Sequence, residues 1–154
     1  MPPSAARPEC VILVGLPGAG KSTFYRQRLS ATHEHVSKDL FPSARNRQAR
    51  QDAALREALG AGRSAAVDNT NASVAERRSI IAIARECGAR VVGCYIEATT
   101  REAVARNERR EGRGRVPKVA IFTCARRLVP PEMEEGFDEL HRFRVRDDGT
   151  FESI

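Results

Sequence analysis

The 154-residue chain has no tryptophan, two tyrosines and six phenylalanines, so extensive stacking of nucleobases on aromatic side chains is excluded as its main means of binding. No stretch approaches the roughly 18 apolar residues that a membrane-spanning helix needs, so no membrane partner is expected. The four cysteines, Cys10, Cys87, Cys94 and Cys124, show no CxxC spacing, and three of them fall in apolar strand or helix patterns. They read as buried, reduced thiols of a cytoplasmic protein, not as a metal site or a disulfide framework. Residues 1–9 are rich in Pro and Ala and lack an apolar core, which predicts a disordered lead-in instead of a secretory signal. Only three of the 26 basic residues are lysine (Lys21, Lys38 and Lys118), yet the net charge is +6. A basic balance favours a polyanionic partner.

What is present is concentrated at one place. Residues 15–22 read Gly-Leu-Pro-Gly-Ala-Gly-Lys-Ser, a complete P-loop, directly after the apolar run Cys10–Val14. Strand, glycine-rich turn and helix in that order are the context the motif requires. Glycines let the backbone curl into a concave row of N–H groups, and the helix that follows aims its positive end into it. Lys21 is expected to reach the β- and γ-phosphates of a nucleoside triphosphate, and Ser22 to ligate Mg²⁺. Gly15, Pro17, Gly18, Ala19, Gly20 and Thr23 complete the predicted nucleotide site.

The rest of the chain alternates strand and helix. Strands are predicted at 10–14, 34–37, 64–67, 90–96 and 141–145. Helices are predicted from Lys21 to about Leu29, from Ser43 to about Gly60, after the capping box Ser73/Glu76, after the capping box Thr99/Glu102 to about Arg110, and over 119–129. This pattern predicts a single α/β domain over 10–154. It would have the P-loop NTPase fold, a parallel sheet of about five strands with helices on both faces.

In such a sheet ligands sit at the carboxyl ends of the strands. Asp39 and Asp68 both fall there, after the second and third strands. Either could accept a proton from an attacking hydroxyl. Asp68 also fits a carboxylate that holds Mg²⁺ through water, and each could simply cap the following helix. The segment Arg101–Arg115 holds six arginines and three glutamates. Its Arg106/Arg110 pair repels at i,i+4, which suits a lid that receives a phosphate chain. Arg106, Asn107, Arg109 and Arg110 are its candidate members. A lid arginine can stabilise the charge of a phosphoryl-transfer transition state.

The P-loop, His35-Val36-Ser37-Lys38-Asp39, Asp68-Asn69-Thr70-Asn71, Arg106-Asn107, and Val129-Pro130-Pro131 with Glu135-Gly136-Phe137 occur in this order and at these spacings. Together, over about residues 10–146, they resemble the kinase domain of the polynucleotide 5′-hydroxyl kinases, the nucleic-acid end-healing enzymes. The resemblance implies ATP and Mg²⁺ at the P-loop and nucleic-acid 5′-OH ends as acceptor. It implies Asp39 as general base, with Lys21, Arg109 and Arg110 in the catalytic set. It also implies that Asp68, Asn69, Thr70 and Asn71 organise the acceptor end. Relatives place an arginine shortly after the catalytic aspartate to hold an acceptor phosphate. Here Leu40-Phe41-Pro42 intervene, and the nearest arginines are Arg45 and Arg47. The family's companion phosphatase domain is absent, as in a stand-alone kinase or an excised domain. Two further classes fit the P-loop: a kinase for a small hydroxylated metabolite, and a regulatory module that hydrolyses nucleoside triphosphates.

Overall fold

The computed structural model describes residues 7–154. Among these, six strands form one sheet: β1 (Glu9–Val14), β2 (Glu34–Val36), β3 (Ala65–Asp68), β4 (Arg90–Glu97), β5 (Glu139–Val145) and β6 (Phe151–Ser153). The order across the sheet is β2-β3-β1-β4-β5-β6. The first five are parallel and β6 runs antiparallel to β5. The expected P-loop α/β fold is therefore present, with a sixth strand added to the predicted five. Its signal is local: Asp147-Asp148-Gly149 is a turn sequence, Gly149 takes φ 83°, and the chain reverses there onto the edge of β5.

The helices are α1 (Lys21–Phe24, continued by a π-helical segment Tyr25–Leu29), α2 (Arg47–Gly60), α3 (Val74–Glu86), α4 (Thr100–Glu108) and α5 (Lys118–Arg127). β1 is buried on both sides, as a central parallel strand must be. Ile12 and Val14 pack with Leu55 and Leu59 of α2 and Ile80 and Ile83 of α3. Val11 and Leu13 pack with Phe24, with Ala103 of α4 and with Ile121 of α5. Helices thus cover both faces, α2 and α3 on one and α1, α4 and α5 on the other.

Several boundaries move for identifiable reasons. α2 begins at Arg47 and not at Ser43, because Asn46 is its cap and accepts from the Ala49 N–H at 3.0 Å. β2 stops at Val36, because Ser37 turns to cap a short 3₁₀ turn over Lys38–Leu40. α5 ends at Arg127, where Leu128 is already extended. Both predicted capping boxes form. The predicted lead-in over 1–9 is corrected at its end. Glu9 belongs to β1, Pro8 accepts from the Arg90 N–H, and Arg7 donates to the carbonyls of Gly88 and Ala89. Its first six residues lie outside the described residues. Cys10, Cys94 and Cys124 are buried, and all four cysteines are free. Burial pushes the thiols of Cys10 and Cys94 up to about 12, which makes them poor nucleophiles. No described helix is long and apolar enough to cross a membrane.

Candidate active site

β1 ends at Val14 and the chain enters the P-loop. Gly18 (φ 85°) and Gly20 (φ 110°) hold left-handed conformations that side chains disfavour. At Gly18 a Cβ would also run into the Ala103 carbonyl, so α4 packs directly on the loop. Lys21 is buried, and its Nζ donates to the carbonyls of Gly15 (2.9 Å) and Leu16 (2.8 Å). Burial lowers its pKa to about 8, against the pull of the nearby Asp68 carboxylate.

Asp68 is the last residue of β3, in register with Leu13 of β1. Its Oδ2 accepts from Ser22 Oγ at 2.9 Å and lies 2.9 Å from His35 Nε2. Burial by itself would raise this carboxyl. The His35 contact, the Lys21 charge and the Ser22 hydroxyl outweigh it and hold the group below the usual carboxylate range. Asp68 is therefore an acceptor only, and His35 Nε2 carries the proton. The Tyr25 ring lies over His35 at 4.5 Å. One hydroxyl and one carboxylate oxygen side by side fit Mg²⁺, which keeps waters and uses one or two protein oxygens plus substrate phosphates. No closed group of three His, Cys, Asp or Glu ligands occurs among the described residues.

Lys21, Ser22 and Asp68 line a cavity of about 420 Å³ at the carboxyl ends of β1–β3. Lys38 and Asp39 contribute to it from the β2–α2 connection and Arg47 from the first residue of α2; Asn69, Thr70 and Asn71 contribute from the β3–α3 connection and Glu76 from the first turn of α3. Pro17 lines it from the P-loop, Arg110, Gly114 and Val116 from the α4–α5 connection, and Arg127 from the last residue of α5. Asp39 is 90% exposed, and its Oδ1 accepts from Arg47 Nη2 at 3.0 Å. Arg47 Nε also donates to the Lys38 carbonyl. Five cationic side chains against three carboxylates give the cavity a positive balance, which suits a polyphosphate.

Other candidates from the sequence take different places. Asn107 is 1% exposed, and both of its amide atoms are paired with the backbone of Val116. It braces the arginine-rich loop and does not face the cavity. Arg106 donates to the Ala19 carbonyl at 3.3 Å, tying α4 to the P-loop. Arg109 and Arg45 are exposed and are not cavity residues; of the lid arginines, Arg110 lines the cavity and lies close enough to Lys21 to disfavour its charge. Thr23 Oγ1 accepts from Arg26 in the first turns after the P-loop.

Asn69 is held by three hydrogen bonds: its Oδ1 accepts from Ser37 Oγ and the Lys38 N–H, and its Nδ2 donates to Gln51. Asn71 (φ 45°) donates to the carbonyls of Leu13 and Val67, and the Thr70 carbonyl accepts from the Gly15 N–H. The Asp68–Asn71 segment is thus a hub joining the P-loop to the β2–α2 connection. Arg77, fully buried, locks this hub from behind. It grips Glu135 through two hydrogen bonds (2.7 and 2.9 Å) and donates to the Asn71 and Ala72 carbonyls. Sequence reasoning missed Arg77, Arg127 and the His35–Asp68 contact. For His35, the available signal was a polar residue inside a three-residue strand beside the P-loop.

A family model described as an AAA domain matches residues 10–131. The chain belongs to that family. The bifunctional polynucleotide phosphatase/kinase of Schizosaccharomyces pombe is 29% identical over 133 residues, 84% of this chain and 32% of that protein. The chain thus spans about a third of this relative's length, and the resemblance read from its motifs extends to aligned sequence. Two solved structures share the fold. Chaetomium thermophilum Kti12 in complex with ADP-AlF3 has a TM-score of 0.73 at 19% identity, over 90% of each chain. A fungal RNA kinase has a TM-score of 0.68 at 13% identity, over 94% of this chain and 78% of that one.

Proposed function

We propose that this member of the AAA domain family is an ATP-dependent polynucleotide 5′-hydroxyl kinase. The observation that carries the reading is the placing of Asp39. Its exposed carboxylate shares one positively balanced cavity with the P-loop lysine and the Ser22–Asp68 pair. A hydrolytic switch has no need of an accessible carboxylate facing its phosphate site. A kinase needs one to take the proton of the attacking hydroxyl. The kinase-named relative supports the same direction.

The P-loop N–H groups and Lys21 would hold the donor's phosphates, Lys21 exchanging its two carbonyl partners for phosphate oxygens. Ser22 and Asp68 would hold Mg²⁺, which neutralises charge on the transferring phosphoryl group. His35 fixes Asp68 by engaging the same oxygen that faces Ser22. The acceptor hydroxyl would lie against Asp39, which accepts its proton as the oxygen attacks. Arg47 holds Asp39 in place, and Arg110 is the lid arginine positioned to meet charge developing on the phosphoryl oxygens.

The test is transfer of label from γ-labelled ATP to a 5′-OH oligonucleotide, beside a 5′-phosphorylated control. Label on the 5′-OH strand alone supports the reading. Hydrolysis with no labelled strand contradicts it and favours a hydrolytic switch. Label appearing only on sugars or nucleosides points to a small-molecule kinase.

A further inference from the structure

The cavity does not end at the reacting groups. It continues to Glu76 and Arg127, residues that neither nucleotide binding nor proton transfer uses. Arg127 is the last residue of α5, which lies on the sheet face opposite α2. Its side chain is half exposed, and Nη1 donates to Glu76 Oε1 at 3.1 Å. Glu76 is itself fixed, because its Oε2 accepts from the Ala72 and Ser73 N–H groups. An exposed ion pair contributes little to stability. This one does something else: it orients a guanidinium at the cavity before any ligand arrives. Among the described residues, Nε and Nη2 of Arg127 have no hydrogen-bond partner, so donors of the planar fork are left for a phosphate.

The other cations of the cavity have nearer tasks. Lys21 and Arg110 stand at the donor phosphates. Lys38 and Arg47 stand beside Asp39, where the terminal acceptor nucleotide must lie. Arg127 reaches the cavity from α5, on the far face of the sheet, and meets it beside Glu76.

We infer that Arg127, oriented by Glu76, binds a backbone phosphate of the acceptor strand beyond its terminal nucleotide, so that the site selects strands over mononucleotides. The inference rests on the polynucleotide reading and assigns a residue to it. One charge-assisted contact of this kind corresponds to about a tenfold effect. It also contributes about 0.7 to the slope of log affinity against log salt for a single strand.

The experiment compares kcat/KM for a 5′-OH tetranucleotide and for a nucleoside 3′-monophosphate, using γ-labelled ATP. The wild-type chain, Arg127→Ala and Arg127→Lys are measured at several salt concentrations, each with a thermal melt. The wild type is expected to prefer the tetranucleotide. Arg127→Ala should reduce that preference about tenfold and flatten the salt slope by about 0.7, and Arg127→Lys should restore part of both. A merely structural role would lower both acceptors together and leave the ratio and slope alone; that result overturns the inference. So does an unchanged preference in Arg127→Ala while the wild type labels the tetranucleotide, an outcome that leaves the polynucleotide reading standing. A wild type that labels neither acceptor while hydrolysing ATP overturns both.

Discussion

Replacing Arg77 by Met tests how the Asp68–Asn71 hub is held. Arg77 has no exposed surface, and the Glu135 side chain it grips is 10% exposed. The substitution leaves that carboxylate buried without its partner, and removing one member of a buried pair costs about 3–5 kcal/mol. For a domain of this size each kcal/mol moves the midpoint by about 2–4 °C, so Tm should fall by about 6–20 °C. The double variant Arg77→Met/Glu135→Leu should recover much of this, because no charge is then stranded. Recovery should remain incomplete. The Ala72 carbonyl keeps the Val129 N–H as partner, but among the described residues the Asn71 carbonyl has only Arg77. One buried carbonyl without a donor leaves a deficit of about 1–3 kcal/mol. Urea unfolding followed by far-UV circular dichroism measures all three proteins. A loss below about 1 kcal/mol in the single variant, or a double variant no better than the single, would refute the clamp.

Lys21 gives a pH signature in the nucleotide-free protein. Its folded-state pKa is depressed to about 8 from an ordinary value near 10.5. Below pH 8 both states hold the proton and the folded state bears the cost of burying a charge. Between pH 8 and 10.5 the unfolded state holds the proton and the folded state does not, so stability rises with pH. Relative to Lys21→Met, the wild type should therefore gain stability across that window in urea titrations at pH 7, 9 and 10.5; a flat or falling difference would contradict the burial argument. Ser22→Ala should raise the Mg²⁺ concentration needed for half-maximal turnover of ATP by about 10–100-fold, read from a Mg²⁺ titration. An unchanged requirement would remove Ser22 from the metal site.

Much of the fold was legible because its signals are local. The apolar run before Gly15, the two capping boxes and the glycine stops each fix an element through its own residues. β6 escaped because three residues carry too little periodicity, and only its pairing with β5 makes it a strand. Residue type and position place Asp39 and Asp68 at strand ends without separating them; only the family resemblance assigns Asp39 as base and Asp68 to the acceptor end. The difference is environmental: Asp39 stands in solvent beside Arg47, while Asp68 is buried among Lys21, Ser22 and His35. The arginines were the least legible. In sequence Arg77 is one more polar position on an amphipathic helix and Arg127 one more charge at a helix end. Their roles come from partners 58 and 51 residues away. Likewise Arg109 and Arg110 are adjacent, and the end of α4 at Glu108 decides which of them meets the cavity.

The central claim is that Asp39 is the proton acceptor of a phosphoryl transfer. The direct measurement is single-turnover label transfer from ATP to a 5′-OH oligonucleotide by wild-type and Asp39→Asn protein, with nucleotide affinity measured in parallel. The substitution keeps the shape and removes the base, and general-base catalysis is worth about 10²–10⁴-fold. Asp39→Asn should bind ATP as the wild type does and transfer the phosphoryl group slower by about that factor. An Asp39→Asn protein that transfers at the wild-type rate, while Asp68→Asn does not, would contradict the account and exchange the roles of the two carboxylates.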